Sequence, residues 1–248
     1  MSVTIPEHRA EPARALMIEL FPAGFEEVER GGAVELAAYT DPGGEERLMH
    51  VFSGVSSSDV EAGWEERWRE FHKPVRIGPL WVGPPWERPP ADALAVVVDP
   101  GRAFGTGAHP TTRLCLEALL ELERGSLLDV GCGSGVVSIA AGLLGFAPVR
   151  GIDTDPAAVE ATRENAAANG VELEAELADA TAGELPDADV TVANISLESV
   201  SALRPCGALL VTSGYLVSER PVPPGYAHAF RRESGGWAAD VFRRDPAR

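Results

Sequence analysis

The run Asp129-Val130-Gly131-Cys132-Gly133-Ser134-Gly135 constrains this chain more than any other feature. It follows Ser126 to Val130, which reads as a strand, and precedes Val136 to Leu144, a helical pattern stopped by Gly145. Glycine allows the tight turn between the two and leaves no Cβ to block a ligand from the backbone. The next strand, Val149 to Ile152, leads into Asp153. A carboxylate there, about 20 residues past the loop, is placed to accept hydrogen bonds from both ribose hydroxyls of a nucleoside.

The residues also indicate which nucleoside fits. The dinucleotide pattern G-x-G-x-x-G needs glycine at position 136, and this chain has Val136. Asp129 carries its negative charge toward the helix N-terminus, where a pyrophosphate would otherwise approach. Like charges repel there, whereas a sulfonium and an ammonium group are attracted. S-adenosylmethionine has both and lacks phosphate. Gly131, Gly133, Asp129 and Asp153 are therefore the candidate cofactor-binding residues. Asp179, after the strand-like Glu172 to Leu177, joins them as an acceptor for the adenine amino group, with a surface turn as the alternative.

Three textures divide the chain. Residues 1–58 carry a helix-like run, Glu11 to Phe21, and an alternating run, Ala33 to Tyr39. Pro42-Gly43-Gly44 then reads as a turn and Leu48 to Phe52 as a returning strand, giving a small α+β domain. Residues 59–90 read as a helical and proline-rich linker. Val60, Trp64, Trp68 and Phe71 recur at helical spacing, and six prolines lie between Pro74 and Pro90. The aromatic face suits docking by its rings more than a substrate platform. From 91 to 248 strands and helices alternate: Ala95 to Val98, Thr111 to Glu123, the elements around the glycine loop, and a helix capped by Asp155 that starts at Pro156 and runs to Asn169-Gly170. Asp189 to Ala193 and Ala208 to Thr212 are further strands. Such alternation predicts an α/β fold with a doubly wound parallel sheet.

Charge narrows the partners. The chain has 21 basic and 38 acidic side chains and a net charge of −17. That balance disfavours nucleic acid and anionic membrane, which bind mainly through Lys and Arg, and suits a basic protein or a small substrate. Cys115, Cys132 and Cys206 form no C-x-x-C pair, so no metal site is expected and a reducing compartment is. The first residues lack a signal-peptide pattern, and no apolar stretch approaches the ~18 residues of a membrane span. A cytoplasmic monomer is the expectation.

A longer pattern now becomes recognisable. Pro100-Gly101-Arg102-Ala103-Phe104-Gly105-Thr106-Gly107-Ala108-His109-Pro110-Thr111-Thr112 resembles the signature of the bacterial ribosomal protein L11 methyltransferase family. The resemblance extends to Trp64, Trp68, Phe71, Pro74, Leu80-Trp81 and Trp86 before it. After it come the glycine loop, Gly151-Ile152-Asp153-Thr154-Asp155-Pro156, Asn165-Ala166, Asn169-Gly170 and Val192-Ala193-Asn194-Ile195, so that about residues 59–215 are covered.

The resemblance implies a Rossmann-like methyltransferase with a small N-terminal domain that grips the ribosomal protein. It implies that Thr112, Gly131, Asp153 and Asn194 contact the cofactor, and that amino groups of the substrate, lysine side chains included, receive methyl groups. Phe104-Gly105-Thr106-Gly107 reads as a glycine-hinged loop able to close over the methionine end of the cofactor, with Thr106 and Thr112 supplying hydroxyls. Asn194, at the end of a strand, is a candidate to hold the acceptor amine through its amide oxygen. His109 is a candidate general base, with a structural hydrogen-bonding role as the alternative.

The chain departs from the family pattern at both ends. Its N-terminal segment is short for the family's substrate domain, and Pro221, Pro223 and Pro224 interrupt a stretch where the family has a helix. These departures bear on the substrate and leave the cofactor site intact. A methyltransferase of another protein or small molecule is the competing expectation. A nicotinamide-dependent oxidoreductase or non-catalytic nucleotide sensor is more remote, because Val136 and Asp129 oppose a dinucleotide.

Overall fold

A computed structural model describes residues 1–21, 25–38, 40, 42–57, 73–99, 107–182, 185–204 and 206–245. The chain divides into two compact units, Met1–Trp68 and Arg69–Arg248.

In the first unit, β1 (Ser2–Pro6), β2 (Glu26–Arg30) and β3 (Ala33–Ala37) form an antiparallel sheet in the order β1-β3-β2. Alternate residues of β3 point inward, and Val34 and Leu36 join Met17 of α1 (Ala10–Leu20) in an apolar core. Leu48 completes that core from α2 (Pro42–Val51). Most of the expected strand Leu48 to Phe52, up to Val51, is thus the end of a helix. Pro42 opens it at the first helical position, where a missing N–H costs nothing, so the residues read as a turn are a helix start.

The second unit holds two sheets among the described residues. The smaller joins β4 (Val75–Ile77), β5 (Leu80–Gly83) and β6 (Leu94–Val97), with β5 and β6 parallel. Part of the stretch read as a proline-rich bridge is therefore sheet, and Ile77, Leu80 and Val82 lie in the main core. The expected strand Ala95 to Val98 belongs to this small sheet. Asn169 ties it to the rest: its Oδ1 accepts from Val97 N–H at 2.8 Å and its Nδ2 donates to Val97 O at 2.6 Å.

The larger sheet comprises β7 (Leu127–Val130), β8 (Val149–Asp153), β9 (Glu174–Leu177), β10 (Val190–Asn194), β11 (Leu209–Leu216), β12 (Tyr226–Ser234) and β13 (Trp237–Arg244). Its order is β12-β13-β11-β10-β7-β8-β9, parallel from β9 to β11 and antiparallel at β13 and β12. From β7 the chain winds outward through β8 and β9, then returns to β10 on the other side of β7. That reversal opens a crevice at the carboxyl ends of β7 and β10, where open α/β sheets bind ligands.

Both faces of this sheet are covered. On one, Leu127, Val149, Val192, Val211 and Val241 pack with α3 (Pro110–Glu121) and α4 (Val136–Leu144); on the other, Leu128, Ile152, Leu210 and Phe242 meet Leu203, Cys206 and Tyr226. α5 (Pro156–Ala168) packs on β8 and β9, and α6 (Leu197–Ala202) on β11. Residues 217–225 contain no helix, and the chain passes directly into the β12–β13 hairpin. No helix among the described residues is long and apolar enough to cross a membrane.

Candidate functional site

The turn after β7 is built as its glycines require. Gly131, Gly133 and Gly135 all have positive φ (73°, 55° and 79°), a region other residues rarely enter. A Cβ on Gly131 would also run into the Ile195 side chain. Gly131 and Cys132 N–H both donate to Ile152 O, at 2.8 and 3.1 Å, which fixes the turn against β8. Gly133 N–H donates to Asp153 Oδ2 at 3.0 Å, and Asp155 N–H to Asp153 Oδ1 at 3.0 Å, so the acid at the end of β8 is oriented by two backbone donors.

Two braces come from α5. Thr162 Oγ1 donates to Gly133 O at 3.0 Å, and Asn165 Nδ2 donates to Ser134 O at 2.8 Å. Thr162 is absent from the sequence-derived candidates, and Asn165 enters there only through the family resemblance. Their spacing on a helix started by the Asp155 cap and Pro156 is the signal that both side chains share the face toward the loop.

Asp129 sits beneath the turn and is 2% exposed. Its Oδ2 accepts from Ser138 N–H at 3.1 Å and Ser138 Oγ at 2.6 Å. Burial nevertheless dominates and pushes its pKa up to about 6, with Asp153 adding repulsion. Asp179 closes a tight local turn, its Oδ1 accepting from Thr181 N–H at 2.8 Å and Thr181 Oγ1 at 2.7 Å. The hydroxyl bond, then the backbone bond, lowers its pKa. Asn194 ends β10, opposite Ser213 of β11 and one residue past the Ala193–Val130 pair, and its Nδ2 donates to Thr112 Oγ1 at 3.3 Å.

These side chains meet at one cavity of about 270 Å³. Thr112, Asp129, Gly131, Gly133, Asp153, Asp179 and Asn194 all line it, with Ile152, Ile195 and Ser199 among the others. Among the described residues its lining holds three carboxylates and no Lys or Arg. His109 lies outside the lining, where its Nδ1 caps α3. Phe104 and Thr106, with the aromatic Trp64, Trp68 and Phe71, fall outside the described residues.

The strand order, with an antiparallel hairpin closing a parallel sheet, is that of the Rossmann-like methyltransferases. Within that class the chain belongs to the family described as "Ribosomal protein L11 methyltransferase (PrmA)", which it matches over residues 21–218. Methyltransferases of this family use S-adenosylmethionine. The protein called ribosomal protein L11 methyltransferase in Yersinia pseudotuberculosis is 48% identical over 173 residues, covering 67% of this chain and 57% of that protein. Its namesake in Aeromonas hydrophila is 44% identical over 204 residues, covering 74% and 69%. A solved structure, ribosomal protein L11 methylase from Lactobacillus delbrueckii subsp. bulgaricus, superposes with a TM-score of 0.59 at 26% identity, covering 69% of this chain and 98% of that one. This chain thus spans less than two thirds of the length of the Yersinia relative.

Proposed function

We propose that this chain is an S-adenosylmethionine-dependent protein methyltransferase that N-methylates amino groups of ribosomal protein L11, its lysine side chains and N-terminus. The observation that carries the cofactor is the charge of the cavity: among its described lining residues, three acids and no Lys or Arg suit a ligand bearing a sulfonium and an ammonium group and oppose a pyrophosphate. Family membership and the relatives' printed names support the acceptor.

The residues present fit the cofactor. Asp153 accepts from the ribose hydroxyls, Asp179 from the adenine amino group, and Asp129 balances the positive charge. Gly131 and Gly133 let the ligand reach the backbone, and Thr112 offers a hydroxyl. Phe104 and Thr106 are assigned, from the signature they belong to, to the loop that closes over the methionine end. Bound there, S-adenosylmethionine supplies a methyl group already activated by the sulfonium, so the protein has little acid-base chemistry to perform.

What remains for the chain is orientation and exclusion of water. Asn194 spends its Nδ2 on Thr112, which turns its Oδ1 to accept an N–H of the substrate amine. That bond would hold the substrate amine by one N–H and leave its lone pair free. A water-poor site also favours the neutral amine that must attack, because desolvation disfavours the ammonium form. We place the reaction in the cytoplasm, with the protein acting as a monomer; its three cysteines are free and buried.

One experiment tests both levels. The protein is incubated with labelled cofactor and purified ribosomal protein L11, alone and within a cell lysate, beside calorimetry with S-adenosylmethionine and NAD. Label on L11 and preference for the sulfonium ligand are expected. Label only on another acceptor would reject the substrate and keep the enzyme class; preference for NAD would reject both.

A further inference from the structure

His109 stands at the start of α3 in extended conformation (φ −64°, ψ 138°), with Pro110 at the first helical position. Its Nδ1 accepts from Thr111 N–H at 3.3 Å and lies 2.7 Å from Thr111 Oγ1. A backbone N–H can only donate, so Nδ1 presents a lone pair and the proton of the neutral ring sits on Nε2. Nδ1 is bonded to Cγ, as Oδ1 of asparagine is. The ring atom therefore takes the place of a capping oxygen. Burial lowers the imidazole pKa, which favours the neutral form that capping needs.

The cap leads straight to the cavity. Arg113 N–H donates to His109 O at 3.2 Å, the first full helical bond of α3. Thr112, in that same turn, is 1% exposed and receives Asn194 Nδ2 on its hydroxyl. A hairpin distant in sequence holds the arrangement from outside. Trp237 meets the His109 ring edge-to-face, centroids 4.8 Å apart and planes at 69°. A Cβ added at Gly235 in the same turn would come within 3.4 Å of the Pro110 ring, and Arg232 pairs with Glu121 at 2.5 Å at the other end of α3.

We propose that His109 is a positioning residue: a neutral imidazole cap, clamped by Trp237, that sets the first turn of α3 so that the Thr112 hydroxyl meets Asn194. The assignment rests on reading the cavity as the cofactor and acceptor site. It gives the signature histidine a task that asparagine can perform and a base cannot share, since a ring that takes up a proton at Nδ1 loses the cap.

The test compares wild type, His109→Ala, His109→Asn, His109→Ser and Trp237→Leu. Each is measured by ligand-free thermal unfolding, by calorimetry with S-adenosylhomocysteine, and by kinetics with L11. Losing the cap in His109→Ala should lower Tm by ~2–4 °C and weaken S-adenosylhomocysteine about fivefold, with the change falling on cofactor KM more than on kcat. His109→Asn should restore Tm and affinity to within about twofold, with His109→Ser intermediate and Trp237→Leu showing a smaller version of the alanine defect. The proposal is overturned if His109→Asn and His109→Ser lose kcat as fully as His109→Ala while Tm and affinity stay at the wild-type level, because that pattern belongs to proton transfer. Wild-type behaviour of His109→Ala in all three measurements overturns it as well. If wild type fails to bind S-adenosylhomocysteine, the functional reading falls; the melting temperatures of the alanine and asparagine variants still judge the cap.

Discussion

Two halves of one sheet treat a buried aspartate in opposite ways. In the parallel half Asp129 is 2% exposed, and burial, only partly offset by Ser138, pushes its pKa up to about 6. In the antiparallel half Asp240 is 1% exposed, yet its pKa stays below the ordinary value. Burial alone would raise that one too, but its partners outweigh it. Arg231 reaches both carboxylate oxygens, at 2.9 and 2.7 Å, Tyr215 Oη donates at 2.8 Å and His228 Nε2 lies at 2.7 Å. The completed acid knits β11, β12 and β13 together. The incompletely compensated one lines the cavity, where the described residues supply no Lys or Arg to balance its charge.

The comparison breaks first at Asp240. Asp240→Asn should strip the Arg231 guanidinium, itself 11% exposed, of its closest charge partner, leaving it only Glu233 at 3.9 Å, and destabilise the protein by about 3 kcal/mol in urea unfolding. Its pH signature follows from the sign. A carboxyl with a lowered folded pKa contributes stability that is present above its unfolded value and lost as pH falls through the folded one. Wild type should therefore lose stability on acidification below pH ~4, and the variant should lose less. An Asp240→Asn protein as stable as wild type would show that the network contributes nothing.

Asp129→Asn should have the reverse effect on stability and a separate effect on binding. The folded pKa is raised from 3.8 to about 6, so ligand-free wild type loses stability as pH climbs between those values. The asparagine variant escapes that penalty and should be more stable at pH 7 by about 1–3 kcal/mol, with the gain vanishing near pH 4. Affinity for S-adenosylmethionine should fall about tenfold, because the charge proposed to balance the sulfonium is gone. A variant that is destabilised, or that binds as well as wild type, would remove the contrast with Asp240.

The legibility of the molecule follows the same division. The glycine loop and α4 could be read directly because each rests on local chemistry: positive-φ turns, a period near 3.6, and a glycine stop at Gly145. Asp155 as cap and Pro156 as first residue of α5 belong to the same class. Of the residues gathered at the cavity, Asp129, Asp153, Asp179 and Asn194 are legible at or near strand ends and the glycines in the loop, whereas Thr112, on the first turn of α3, is legible only through the family resemblance. The misread elements depend on partners far along the chain. β4 and β5 hold three and four residues each, between prolines, and only burial beside α3 makes them strands. α2 was hidden because proline and glycine can start a helix as well as a turn. The task of Asp240 is invisible without the pairing that brings Arg231 and Tyr215 to it from neighbouring strands.

Asp153 offers the finest test of the contrast, since it lines the cavity but remains half-buried. Its oxygens take N–H groups from Gly133 and Asp155, so the side chain has a local structural task besides the one proposed toward ribose. Asp153→Ala should weaken S-adenosylmethionine by about tenfold, ~1.4 kcal/mol, as expected when ribose hydroxyls lose a charged acceptor. Stability should change by less than about 1 kcal/mol, because the two freed N–H groups lie where water can reach them. Calorimetry and urea unfolding on the same preparation separate the two quantities. Unchanged affinity would remove Asp153 from the ribose site; a stability loss as large as that of Asp240→Asn would make it a structural acid, and Asp129 alone would then carry the difference between the two halves.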